Sequence, residues 1–319
     1  MDFGFAVPTR GPLAAPEDIC RIASHGESLG YAHVYVNDHV VVPGDIASRY
    51  PYTQAGDWPG APIGEAMEVL ALLSYLAHAT TTARLLTSVM VVPYRNPMVT
   101  AKMLSTIDVL SHGRVTVGCG VGWMREEFEA IGTPPFEARG RVVDEYLSIF
   151  KELWTQDTPA YDGEFSQFSN VSFLPKPVQK PHPPLWIGGE SPAALRRAAR
   201  LGDAWYPVGN NPRHPLDTVE AYAAGAARMK TALDAEGRDG SDFTLAFITN
   251  MFVAPGDGKA QDGGRMIFTG SDDNIRSDIQ ALSDLGVKHL MVNLQTGSMD
   301  ETLDNMSRFA SDIMPAGGN

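Results

Sequence analysis

Leu29-Gly30-Tyr31, Leu201-Gly202-Asp203 and Leu285-Gly286-Val287 are three occurrences of one phrase: a leucine closing a helix-like stretch, a glycine, and the opening of an apolar run. Glycine after a helix accepts the left-handed conformation that a side chain resists, so each phrase reads as a helix end handing over to a strand. Working outward, eight apolar, β-branched or aromatic runs predict strands: Asp2 to Pro8, Ala32 to Asn37, Leu85 to Val92, Arg114 to Gly118, Leu185 to Gly188, Asp203 to Pro207, Phe243 to Val253 and Lys288 to Leu294. Most are continuously apolar, as expected of parallel strands buried on both faces. Eight helical stretches alternate with them: Glu17 to Leu29, Gly64 to Ala79, Met98 to Leu110, Arg139 to Thr155, Ala193 to Leu201, Leu216 to Ala235, Asn274 to Leu285 and Met299 to Ile313. Pro16 and Pro97 suit a first helical turn, where the missing N–H costs nothing, and Gly30, Gly202 and Gly286 suit the left-handed position after a helix. Eight strand-helix units predict a (β/α)8 TIM barrel filling residues 1–319 as one domain. An open doubly wound sheet uses the same right-handed unit and is the alternative.

Two stretches break the repeat, giving insertions after strands 2 and 4. Val40 to Ile63 is rich in Pro, Gly, Tyr and Trp; Gln156 to Pro184 holds Tyr161 to Phe173 and then Pro175, Pro177, Pro181, Pro183 and Pro184. Long insertions of this kind are binding loops or lids more often than decoration.

Composition narrows the function. With 25 Lys and Arg against 38 Asp and Glu the net charge is -13, and no basic block interrupts it, so nucleic acid is excluded as partner in favour of a small molecule. No apolar run approaches the roughly 20 residues of a membrane span. The start, Met1 to Pro8, lacks the basic and long apolar regions of a secretory signal, which predicts a cytoplasmic protein. Cys20 and Cys119 are too few and too distant for a disulfide framework or a zinc site; no metal is expected.

In a barrel, chemistry gathers where strands end at their C-terminal side. Val34 to His39 ends the second strand in Asn37-Asp38-His39, and an imidazole there can carry a proton near neutral pH; a capping Asp with a structural His is the other reading. Gly118-Cys119-Gly120-Val121-Gly122-Trp123 ends the fourth strand. Its glycines permit close approach to a flat ligand, whereas the dinucleotide fingerprint fails because position 123 is Trp. Gly188-Gly189-Glu190-Ser191 lies between a strand and a helix, as a phosphate-binding turn does and as an ordinary tight loop does. The third strand runs through Thr87-Ser88-Val89 to Tyr94-Arg95-Asn96-Pro97. Nucleophile elbow, P-loop and zinc-helix motifs are missing, and no lysine sits at a strand end as an aldolase barrel requires.

Together, Asn37 to Val41, Thr87-Ser88-Val89, Tyr94 to Pro97, Gly113-Arg114, Gly118 to Trp123, Pro184 to Gly189 and Leu201 to Trp205 make the chain resemble the bacterial luciferase-like flavin oxidoreductases, nearest to the coenzyme F420-dependent branch. The resemblance implies a coenzyme at the C-terminal mouth and a homodimer. It places Asp38 and His39 beside coenzyme and substrate, Ser88 and Val89 at a non-prolyl cis peptide behind the ring, and Gly120, Val121 and Gly122 along it. Gly188, Gly189, Glu190 and Ser191 match the phosphate turn, with Val208 on its opposite wall. The sugar-phosphate dehydrogenase members carry an acid just after the glycine loop where this chain has Trp123, and a basic contact is replaced near Asn211, so their substrate does not carry over.

The expected activity is hydride transfer between F420 and a small organic substrate. His39 would move the accompanying proton, Asp38 would orient His39 or the ring, and Tyr50, Tyr52, Trp58 and Trp123 would line the substrate pocket. The competing expectations are an FMN-dependent monooxygenase served by a flavin or F420 reductase, and a non-catalytic flavin-binding protein.

Overall fold

The computed structural model describes residues 1–60, 64–252 and 258–314, with the side chains of 250–252 left out. Ile63, the last residue of the first insertion, and Val253, the last expected of the seventh strand, lie outside the described residues.

In chain order the elements are β1 (Asp2–Ala6), α1 (Pro16–Ser28), β2 (His33–Val36), α2 (Val69–Ala79), β3 (Arg84–Val91), α3 (Pro97–Leu110), β4 (Val115–Gly120), α4 (Arg125–Ile131), α5 (Arg139–Thr155), a hairpin of β5 (Tyr161–Asp162) and β6 (Gln167–Phe168), β7 (Leu185–Gly188), α6 (Pro192–Leu201), β8 (Ala204–Tyr206), α7 (Val219–Ala235), β9 (Thr244–Phe252), α8 (Asp272–Asp284), β10 (Val287–Asn293) and α9 (Met299–Arg308). The closed order is β1-β10-β9-β8-β7-β4-β3-β2. Because β1 pairs in parallel with both β2 and β10, Phe5 standing opposite Val34 and Val292, no edge is left and the open-sheet alternative is excluded.

Alternation along each strand divides the core in two. Tyr35, Leu86, Trp186, Ala204, Tyr206, Ala246 and Met291 point inward and pack together inside the barrel. Their neighbours Val34, Val36, Leu85, Leu185, Ile187, Trp205 and Phe247 point outward under the helices. Helix α7 lies close on β8 because Gly225 leaves room for the Trp205 indole: a Cβ there would stand 2.8 Å from it.

The expected caps hold at several helices. Pro16 and Pro97 sit in first turns, Ser191 and Thr218 accept from Ala194 and Ala221 N–H, and Gly30 and Gly286 take φ of 85° and 90°. Gly202 departs from expectation with φ -93°; it is glycine for space, a Cβ lying 2.6 Å from Ile187 Cγ1 and 2.9 Å from the Ala198 carbonyl. Helix α2 starts at Val69 rather than Gly64, since the preceding residues are tied elsewhere: Met67 N–H donates to Thr9 O, and Glu68 caps the helix through Ala71 N–H. The last expected helix stops at Arg308 and continues as a π turn to Ile313. Helix α4 and the β5-β6 hairpin were not foreseen.

One half-buried carboxylate sets the entry to β3. Glu27 accepts from Thr81, Thr82 and Ala83 N–H at 2.9, 2.5 and 2.8 Å; burial resists, but these donors hold its pKa down at about 2.

Candidate active site

Strand register brings the ends of β2, β3 and β4 side by side. Val36 stands opposite Thr87, so Asp38 and His39 continue alongside Ser88 to Val91. Asp38 is buried and turned into the wall, where it accepts from Arg95 Nη1 and Nη2 at 2.8 and 2.7 Å and from Val91 N–H at 2.9 Å. Burial pushes its carboxyl up, while Arg95 and the Val91 N–H pull the other way. Arg95 also grips Glu68 at 2.7 Å, fastening the ends of β2 and β3 to the start of α2. Asp38 therefore does not orient His39: both of its oxygens are taken by Arg95, one of them shared with the Val91 N–H.

That position belongs to Glu127, which sequence reading missed. Its fully buried carboxylate lies 2.8 Å from His39 Nδ1 and accepts from Tyr94 Oη at 2.8 Å and from Val40 and Val41 N–H at 2.7 and 3.3 Å. Burial alone would raise its pKa, yet these donors bring it below the ordinary carboxylate value. An ionised partner at Nδ1 makes that nitrogen the N–H donor, leaving Nε2 with its lone pair and no partner among the described residues.

Helix α4 supplies this residue and more. Glu126 accepts from Ala47 and Ser48 N–H, both at 2.9 Å, while Arg125 N–H donates to Ser48 Oγ at 3.0 Å. Adjacent glutamates in one short helix thus hold the beginning and middle of the loop after β2. The sequence signal was available in Arg125-Glu126-Glu127-Phe128-Glu129-Ala130-Ile131-Gly132: acids in a first turn and a glycine at the close, here with φ 76°.

The loop aromatics assemble over His39. Trp58 lies 4.4 Å from the imidazole, Trp123 6.0 Å from Trp58, and Tyr50 5.1 Å from Trp123 and 5.3 Å from Tyr52. Tyr52 reaches furthest in, against the interior cluster that also contacts Val89, and its carbonyl accepts from Asn210 Nδ2 at 3.0 Å. The four expected pocket residues are therefore one contiguous group.

The Ser88–Val89 peptide is cis, as the resemblance implied. Val89 sinks among glycines: a Cβ on Gly120 would stand 2.6 Å from Val89 Cγ2, and one on Gly188 3.2 Å from Cγ1. Ser88 Oγ meets Tyr206 Oη at 2.9 Å. Gly122, with φ 79°, turns the chain so closely over Phe128 and Val91 that a Cβ would meet them at 2.6 and 2.8 Å, and Val121 is half-buried beside it.

Across the barrel, Ser191 caps α6, Gly189 has φ 107°, and the Gly189 carbonyl accepts from Trp205 Nε1. Glu190 is buried, accepting from Val208 N–H at 2.8 Å and Asn211 Nδ2 at 2.7 Å. Burial raises its pKa, opposed by those two donors. Asn211 is thus part of the brace, and Val208 closes the wall beside Ile248.

A second cluster lies at the opposite, N-terminal end of the barrel. His33 Nε2 is 3.2 Å from His289 Nδ1, which is 3.3 Å from Asp2 Oδ2. Burial drives the pKa of His33 well down and that of His289 to about 4, with Arg84 reinforcing both shifts and Asp2 opposing that of His289. Trp186 packs on both rings, 5.4 and 4.8 Å away. The cluster is remote from the strand ends at which the other candidates gather.

The structure is a closed parallel barrel with a histidine-carboxylate pair, a cis peptide and an aromatic loop at its mouth. The chain belongs to the luciferase-like monooxygenase family, which it matches over residues 1–305. It is 34% identical over 206 residues to protein Rv0953c of Mycobacterium tuberculosis, covering 64% of this chain and 71% of the relative. It is 35% identical over 162 residues to the FMNH2-dependent dimethylsulfone monooxygenase of Pseudomonas putida, covering 49% and 44%. Among solved structures, an F420-dependent secondary alcohol dehydrogenase with an F420-acetone adduct superposes with TM-score 0.74 over 98% of both chains at 17% identity, a likeness of fold. The protein is a flavin- or deazaflavin-dependent oxidoreductase or monooxygenase by family. Among the described residues no helix is long and apolar enough to cross a membrane.

Proposed function

We propose that the protein transfers a hydride between coenzyme F420 and a small organic substrate at the mouth of the barrel. The observation that carries this reading is His39: one nitrogen is held by an ionised Glu127, and the other is free to face a reacting oxygen. Interconversion of a carbonyl and an alcohol needs a proton as well as a hydride, and a positioned imidazole supplies it.

The residues fit a planar coenzyme with an anionic tail. Val89 and the Ser88–Val89 peptide form a ledge for a flat ring, made possible by Gly120 and Gly188, and the α6 N-terminus with the Ser191 hydroxyl suits a phosphate. A bound deazaflavin supplies two-electron hydride chemistry at a ring carbon. In the reducing direction His39 first takes a proton from solvent at Nε2 and passes it to the substrate oxygen; in the other direction the Nε2 lone pair removes the proton from the hydroxyl. Glu127 keeps Nδ1 protonated throughout, and Tyr94 and the Val40 N–H keep Glu127 in place. Trp58, Trp123 and Tyr50 exclude water from the reacting atoms.

Titration of the purified protein with F420 and with FMN, followed by fluorescence, tests the coenzyme. Saturable F420 binding with turnover of a carbonyl or alcohol panel is expected, in a homodimer by size-exclusion chromatography. Tight FMN binding without F420 binding would overturn it. That outcome is the second reading, an FMN-dependent monooxygenase receiving reduced flavin from a reductase, which the likeness to dimethylsulfone monooxygenase favours.

A further inference from the structure

Arg10 follows β1 at the mouth and is used by none of the chemistry above. Its guanidinium carbon lies 5.0 Å from the centroid of the Trp58 ring, and Gly60 must be glycine because guanidinium and indole fill the space of any side chain there. Apart from this ring contact Arg10 has no hydrogen bond or ion pair among the described residues. Two half-buried or partly exposed arginines of this end are matched by acids, Arg95 with Asp38 and Glu68, Arg125 with Glu137 at 2.6 Å, and Arg49 of the same loop is satisfied by the Gln54 and Ala55 carbonyls. The acids close to Arg10 are engaged elsewhere, Glu65 with Gly11 N–H at 2.6 Å and Glu127 with His39, Tyr94 and the loop. Burial lowers the Arg10 pKa, with Tyr50, Glu127 and Glu65 opposing that shift. A half-buried guanidinium carries five donors in a planar fork, and a ring face satisfies none of them.

Barrel order says which anion would satisfy them. In the closed order β1-β10-β9-β8-β7-β4-β3-β2, β1 and β7 are four strands apart in either direction, so Arg10 stands diametrically across the mouth from the α6 N-terminus assigned to the coenzyme phosphate. Trp58 connects Arg10 to the catalytic side, since its ring lies against Arg10 and 4.4 Å from His39.

We propose that Arg10 anchors a carboxylate of the substrate, a planar or aromatic acid whose body lies among Trp58, Trp123 and Tyr50 and whose reacting oxygen faces His39 Nε2. This rests on the reading of the mouth as a coenzyme and hydride-transfer site. A carboxylate matches the fork in a bidentate pair, and the aromatic group beside it matches a flat apolar body.

The test uses the purified full chain and four probes, benzoate and cinnamate against benzamide and cinnamamide, with tryptophan fluorescence as the binding signal. The acids should bind wild type about tenfold or more tighter than their amides. In Arg10→Gln the ratio should fall to about one while F420 affinity is unchanged. In Arg10→Lys, which keeps the charge but loses the fork, it should fall only in part. Equal binding of acids and amides by wild type overturns the proposal, as does a preference that survives Arg10→Gln. Loss of F420 affinity in step with loss of acid binding also overturns it, by giving the anion to the coenzyme. Should Arg10→Gln melt early, Arg10→Lys decides, a reduced ratio supporting and an undiminished one overturning. An Arg10-dependent preference in a chain that binds neither F420 nor FMN supports this site and removes the oxidoreductase reading instead.

Discussion

His33 and His39 stand at the two ends of β2, and their surroundings make them opposite in kind. His39 has an ionised carboxylate on one nitrogen, an aromatic roof and a second nitrogen with no partner among the described residues. His33 is sealed in the barrel floor against another histidine and Trp186, near Arg84, so its charged form is disfavoured. The same side chain becomes a proton carrier or a neutral filler according to what the other strands bring to it. The mouth recruits partners from loops and α4; the floor recruits them from adjacent strand starts, where there is no room to move.

The sharpest break in this comparison is His39→Ala, which should lower turnover by roughly 10²- to 10⁴-fold in steady-state assays while coenzyme binding stays measurable. His289→Gln at the floor should leave turnover within about twofold by the same assay. If both variants behaved alike, the distinction between the two ends would fail.

Glu127→Gln comes next. It leaves the donors of His39, Tyr94, Val40 and Val41 facing a neutral amide, and should cost about 3 kcal/mol in urea unfolding while narrowing or shifting the pH profile of turnover.

Acid separates the two ends. His289 titrates at about 4 when folded against an ordinary value of 6.5, so the unfolded chain takes up the proton first. Stability from keeping it neutral is whole above pH 6.5 and is lost as pH falls toward 4. Glu127 has a depressed carboxyl, and its share is lost only below the ordinary carboxylate range. His289 alone should therefore contribute a drop of about 2 kcal/mol in unfolding free energy between pH 7 and pH 5, His33 adds to it in the same direction, and His289→Gln should remove the His289 share and leave that of His33.

The smallest effect expected is that of Ser191→Ala, about 1 kcal/mol of thermal or urea stability through loss of the α6 cap. Weakened F420 affinity in the same variant would add the hydroxyl to the phosphate seat.

Legibility varied with the distance over which a residue is determined. The strand and helix alternation was visible because period and punctuation are local, and Asp38, His39 and the glycines could be singled out because they sit at strand ends, while Ser88 and Val89 came from the family resemblance. The role expected of Asp38 was wrong in one respect, because Arg95 lies 57 residues away and nothing local to Asp38 announces it. Glu127, 88 residues from His39, was overlooked because α4 is short and reads as a continuation of the glycine loop. Arg10 was passed over for the same reason: an arginine after a strand looks like surface until the chain beyond β2 lays Trp58 on it.

The alternation of eight strand and helix units was written in the chain, since hydrophobic periodicity, glycine stops and proline starts act within a few residues. Tertiary structure alone decided which carboxylate holds His39, which one is locked to Arg95, and that Arg10 lies on the Trp58 ring face with no acid partner among the described residues. Those outcomes depend on competition for partners among groups far apart in the chain, and only closure of the barrel brings the competitors together.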